Sequence, residues 1–143
     1  MGRPLSDLYK AFLRLADTDD WDDLSSEILL QKAEADWFDL YQSAKLLFKF
    51  PNNSLESTDG ENFDNNISDA EISVLAEYMK FEFLDRIVNS WENIKTQYHE
   101  KDFSSANLLK SLNETANRAE KKARSKEKAF YRTLSNHSDC TVN

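Results

Sequence analysis

Hydrophobic positions recur at helical spacing along most of this chain. Leu5, Leu8, Phe12 and Leu15 fall three or four apart, which predicts a short helix over 4–16 capped by Ser6. The acidic run 17–23 interrupts that pattern and suits the positive end of a following helix. A second helix is predicted over 24–48, with Leu24, Ile28, Trp37, Leu40, Tyr41, Ala44 and Phe48 on one broad face. Pro51 lacks an amide donor and disfavours helix at Phe50, so this helix should end by about Lys49. Residues 52–66 are polar and read as a loop, long for a compact domain and expected to be either functional or poorly ordered. Leu55 and Phe63 are its only large apolar residues and are expected to pin it to the body.

Ser68 and Glu71 form a capping-box pair that opens a third helix, predicted to run without Gly or Pro to about Tyr98. Ile72, Leu75, Ala76, Met79, Phe83, Ile87, Trp91, Ile94 and Tyr98 make its main stripe. Phe81, Leu84 and Val88 add a flanking stripe, and so wide an apolar face predicts more than one neighbour. After a break at 99–103, Ser104 or Ser105 can cap a fourth helix carrying Leu108, Leu109, Leu112, Ala116, Ala119, Ala123 and Phe130. Its middle, 118–128, is almost all charged or small, so it is expected to project, to fit against a partner or to fray. The fold class expected is therefore all-α: a small bundle of about four helices with two long amphipathic helices and an extended C-terminal helix. Residues 1–134 form a single domain in this reading, and 135–143 a flexible tail.

Composition narrows the function more than the fold. The chain has 143 residues with only 2 Gly and 2 Pro, too little turn chemistry for a many-stranded sheet. Its net charge of −8 is unevenly spread. Residues 1–100 hold 21 acidic and 9 basic side chains, whereas 101–143 hold 5 acidic and 9 basic. An acidic body with a basic end suits self-association or a charged neighbour better than general DNA binding. No stretch approaches the ~20 apolar residues of a membrane span, so a soluble protein with no membrane partner is expected, in a reducing cytoplasm. The single cysteine, Cys140, excludes an internal disulfide and a Cys-rich metal site.

Chemistry is sparse. Against a calcium-loop template, Asp17 and Asp19 fit, but Trp21 falls at the fifth position and Ile28 where a bidentate Glu belongs. His99 and His137, the only histidines, sit near no cluster at ligand spacing. No Gly-rich phosphate loop, serine elbow or metalloprotease helix is present. The sequence thus predicts no enzyme, metal or cofactor. Its candidates are interface residues: Trp21 in the acidic run, Phe63 in the loop, Phe81, Leu84 and Val88 on the flanking stripe, and Arg118, Lys121, Lys122 and Arg124 in the basic segment. Trp37 and Trp91 are expected in the core.

Three motifs occur in order over residues 67–112: Glu71-Ile72 with Leu75-Ala76 and Met79; Trp91-Glu92-Asn93-Ile94; and Lys101-Asp102-Phe103 followed by Ser104, Ala106-Asn107 and Leu109. This set resembles a family of tailed-bacteriophage neck proteins, the head–tail connectors or adaptors, with weaker similarity at 44–51. Phe83 stands where that pattern has Trp. The resemblance implies a structural virion protein without catalytic residues. It implies a homo-oligomeric ring, commonly a dodecamer, between the portal protein and other neck or tail proteins. DNA would pass through its channel without sequence-specific binding, and the protein would lie in the virion neck after assembly in the host cytoplasm. A tail-terminator or tail-completion protein is the nearest alternative. A small helical regulator binding a partner or nucleic acid through 118–132 is the alternative of a different class.

Overall fold

The computed structural model describes residues 2–16, 21, 24–97 and 103–142, with side chains for 2–16, 21, 24–90 and 109–134. The expectations placed on the rest of the acidic run, on His99, and on the side chains of Trp91, Ile94, Leu108, His137 and Cys140 lie outside these described residues. The described residues form four helices: α1 (Leu5–Leu15), α2 (Glu27–Lys45), α3 (Asp69–Gln97) and α4 (Phe103–Val142). The all-α bundle is as the periodicity predicts. Among the described residues the only β-type pairing is an isolated bridge between Pro4 and Asn62.

Helix starts differ from expectation where a neighbouring segment satisfies the first amides. Ser6 does not cap α1. Pro4 occupies the cap position without a side-chain bond, and the Leu5 amide donates to the Glu61 carbonyl of the 52–66 loop at 2.9 Å. A backbone carbonyl from far along the chain thus replaces the hydroxyl. The loop and the N-terminus are paired further by Phe63 N to Arg3 O at 2.8 Å and Arg3 N to Asn65 O at 3.2 Å. That close approach requires Gly2, where a Cβ would lie 1.5 Å from the Phe63 carbonyl oxygen.

Helix α2 starts three residues later than predicted because Ser26, not the acidic run, caps it; the Ser26 Oγ accepts from Leu29 N at 3.1 Å. Ile28, expected on the core face, is 67% exposed. The α3 capping box forms as read: Ser68 Oγ accepts from Glu71 N at 3.2 Å, and Glu71 accepts from both Ser68 N and Ser68 Oγ. The 52–66 loop is pinned by Leu55 and Phe63, both buried. Tyr41 of α2 donates its hydroxyl to the Leu55 carbonyl at 2.5 Å, and Asp59 accepts from Glu61 N and Asn62 N at 2.8 Å each. Gly60, at φ 77, makes the left-handed turn inside it.

Helix α3 is the centre of the molecule. From Glu71 to Met79 every residue is buried except Ser73, which is partly buried. Helices α1, α2 and α4 each pack against it. Among the described side chains its main stripe is buried within one chain from Ile72 to Phe83, and Val88, a candidate interface residue, is 4% exposed. An aromatic cluster joins three helices. Phe12 of α1 meets Phe83 of α3 edge-on at 6.2 Å, and Trp21 packs against Phe12, Trp37 of α2 and Phe83.

Two expectations for α4 are corrected. Its charged middle neither projects nor frays: Ala116, Ala119, Ala123, Glu127 and Phe130 are all buried. Alanines every three or four residues let the α4 backbone lie close to α3, so short side chains are enough to seal the seam. The second correction concerns the tail, where the backbone stays helical to Val142. Residues 118–142 contain no Gly or Pro to stop the helix. Ala123→Leu should wedge this seam apart and cost about 2 kcal/mol, read as a lower midpoint in urea unfolding; an unchanged midpoint would place α4 off α3.

Candidate functional site

Buried carboxylates organise the α3–α4 seam and the loop above it. Glu71, 0% exposed, accepts from Asn53 N at 3.0 Å and Asn53 Nδ2 at 3.1 Å in addition to Ser68, so the capping residue also fastens the 52–66 loop. Burial pushes its pKa up, but the hydrogen bonds from Asn53 and Ser68 outweigh burial and hold it below the ordinary value. Glu127 of α4, 6% exposed, accepts from the hydroxyls of Tyr78 and Tyr131 and from Lys49 N at 3.1 Å. Burial again raises its pKa, and the bonds from Tyr131, Tyr78 and Lys49 more than reverse that. In return, burial and the Glu127 carboxylate push Tyr131 up to about 12.

Glu77 is different. It is 1% exposed and neither oxygen makes a direct hydrogen bond. Its charge is met at ion-pair distance by Lys126 Nζ at 3.6 Å and Lys122 Nζ at 4.0 Å, both from α4. Lys126 also donates to Ser73 Oγ at 3.0 Å. Two lysines at the edge of the seam thus reach toward Glu77, Lys126 partly buried and Lys122 still exposed, a use the composition alone did not suggest. A removed partner here leaves an uncompensated buried charge, so the pairing fixes how α4 sits on α3.

The candidate interface residues divide by their surroundings. Phe63, 1% exposed, is core and unavailable to a partner, because its loop folds back on Tyr41 with ring centroids 5.7 Å apart. Val88 is likewise covered. Trp21 is partly buried and folds onto the chain's own aromatic cluster. Phe81 and Leu84 are partly covered, and Leu84 packs against the core. Arg118, Lys121, Lys122 and Arg124 are exposed, with Arg124 paired to Glu120 at 3.0 Å.

Two surfaces that the sequence did not single out remain open. Large apolar side chains stand uncovered at both ends of α2: Ile28 at 67%, Leu46 at 79% and Phe50 at 70%. A groove of about 760 Å³ runs between α1, α2 and the loop, floored by Tyr9, Leu13, Trp37 and Phe38 and edged by Glu34 and Glu61. The Tyr9 and Trp37 rings meet at a tilt with centroids 5.4 Å apart, and burial raises the Tyr9 pKa to about 12. The acids on its lining, Glu34, Asp59 and Glu61, are exposed. Among the described residues, no group of three His, Cys, Asp or Glu is placed to hold a metal ion, and no helix is long and apolar enough to cross a membrane. Compared with known proteins, the chain matches no family model, no curated protein and no solved structure.

Proposed function

We propose that this chain is a structural assembly subunit that works by docking to neighbours, and specifically a head–tail connector of a tailed-phage neck. The observation that carries the first part is the uncovered apolar surface at the two ends of α2. Ile28 and Leu46 sit at the ends of a well-packed helix and stay in water in a lone subunit, as does the outer part of Phe50, whose ring meets Tyr131 at 6.0 Å. Covering them with a partner removes that area from water at roughly 25 cal/mol per Å². The second part rests on the three motifs that occur in order over 67–112 and carry the resemblance. In this reading the portal protein and other neck proteins are the partners, and no reaction is performed. Deleting the gene in the source phage should leave heads and tails unjoined; joined, infectious particles formed without it would remove the proposal.

A further inference from the structure

The outward face of α4 carries a row of cations. Arg118, Lys121, Lys128 and Arg132 are all exposed, and none pairs with a carboxylate among the described residues. At 3.6 residues per turn these four positions lie within about 80° of one another around the helix and span about 21 Å along it. They stand directly opposite the buried row Ala116, Ala119, Ala123, Glu127 and Phe130. The anchoring of α4 on α3 therefore holds the row in a fixed outward position. Lys122 and Lys126, in contrast, point toward Glu77 and are already used.

An anionic partner is implied, and the same chain supplies one. The α1–α2 groove presents the exposed carboxylates of Glu34 and Glu61 above an aromatic floor, with Lys10 as the one cation on its lining. Asp59 on the same rim is engaged with its own loop amides. The groove lining comes from α1, α2 and the 52–66 loop and includes no residue of α4. The row and the groove are thus different surfaces of one subunit. We infer that the cationic row on α4 of one copy seats in the acid-rimmed aromatic groove of the next, a head-to-tail contact. The aliphatic stems of Lys and Arg cover Tyr9 and Phe38 while their charged ends reach Glu34 and Glu61. A contact between two different surfaces propagates, closing into a ring if the rotation permits. Duplex nucleic acid is the competing anion, but the −8 net charge of the chain opposes it, whereas the groove's charge favours the second copy.

This inference rests on the assembly reading above and is tested on the full chain by sedimentation velocity. Two variants are used: R118Q/K121Q/K128Q/R132Q, which blanks the row, and E34Q/E61Q, which blanks the groove. The wild type should self-associate in about 0.05 M salt and dissociate in about 0.5 M salt. Each variant alone should associate at least about tenfold more weakly. Mixed together they should form a one-to-one pair that grows no further, because only one intact row and one intact groove remain; a misfolded variant could not give this result. A wild type that stays monomeric at low salt, a row variant that assembles like wild type, or a mixture that fails to pair would overturn the contact. So would salt-dependent binding of the wild type to duplex DNA that is lost in the row variant while self-association persists. A ring seen in particles despite such a failure would sink this contact and leave the connector reading standing. Self-association through this contact by a chain absent from particles would do the reverse.

Discussion

Glu127→Ala should lower stability by about 3 kcal/mol, because it leaves two tyrosine hydroxyls and a backbone amide without their acceptor. Tyr78 comes from α3, Lys49 from the segment after α2, and Tyr131 from the next turn of α4, so one carboxylate ties three parts of the chain together. The Tyr131 hydroxyl in turn accepts from Phe50 N at 3.0 Å, so the loss spreads to the connection leading into the loop. For a chain of this length the loss should appear as a midpoint about 10 °C lower in thermal unfolding. Glu127→Gln keeps the shape and one acceptor oxygen and should lose less. A drop within error for Glu127→Ala would mean that the seam is held by the alanines alone.

The same carboxylate sets an acid response. Its folded pKa lies below the ordinary value of 4.5, as does that of Glu71. Between the folded and unfolded pKa values the unfolded chain binds more protons, so stability falls as pH falls. The contribution of both groups is fully present above the unfolded value and is lost as pH drops through the folded one. Glu127→Gln should therefore show a shallower loss of stability below about pH 4.5 than wild type; parallel acid curves would contradict the hydrogen bonding described.

Phe12→Ala should cost about 4 kcal/mol, the largest effect expected of any single truncation here. Phe12 is 0% exposed and stands between Trp21 and Phe83, which themselves touch at 5.2 Å. Removing the ring leaves a cavity where α1, α3 and Trp21 meet, and a cluster this interlocked collapses only partly. Urea unfolding should report the loss, and tryptophan emission should shift to the red as Trp21 gains water. A loss below about 1.5 kcal/mol would mean that Trp21 closes over the gap.

The existence and order of the helices were legible because apolar spacing of three and four survives any arrangement of neighbours. The Ser68–Glu71 cap was legible for the same reason: its partners lie within one turn. Features that depend on distant residues were not. The Ser6 cap fails because the Glu61 carbonyl arrives from the loop. Phe63 and Val88 looked available only because apolar type does not tell which element covers a position. The basic stretch misled most. Its buried side is built from Ala119 and Ala123, which lie on the predicted stripe but are too small to promise a large core face, and from Glu127, which reads as a surface charge until Tyr78 is seen opposite. The signal was present, since Glu127 lies on the same stripe as Ala116, Ala123 and Phe130, four residues after one and three before the next. Once that stripe is placed inward, the remaining cations divide cleanly into those that neutralise Glu77 and those that face outward.

The connector reading is tested most directly by electron microscopy of intact particles from the source, with the subunit located by its fold. The account predicts copies of this four-helix chain arranged in a ring between the portal and the tail. Particles whose neck contains no density for this chain, or in which it occurs as isolated copies elsewhere, would contradict it.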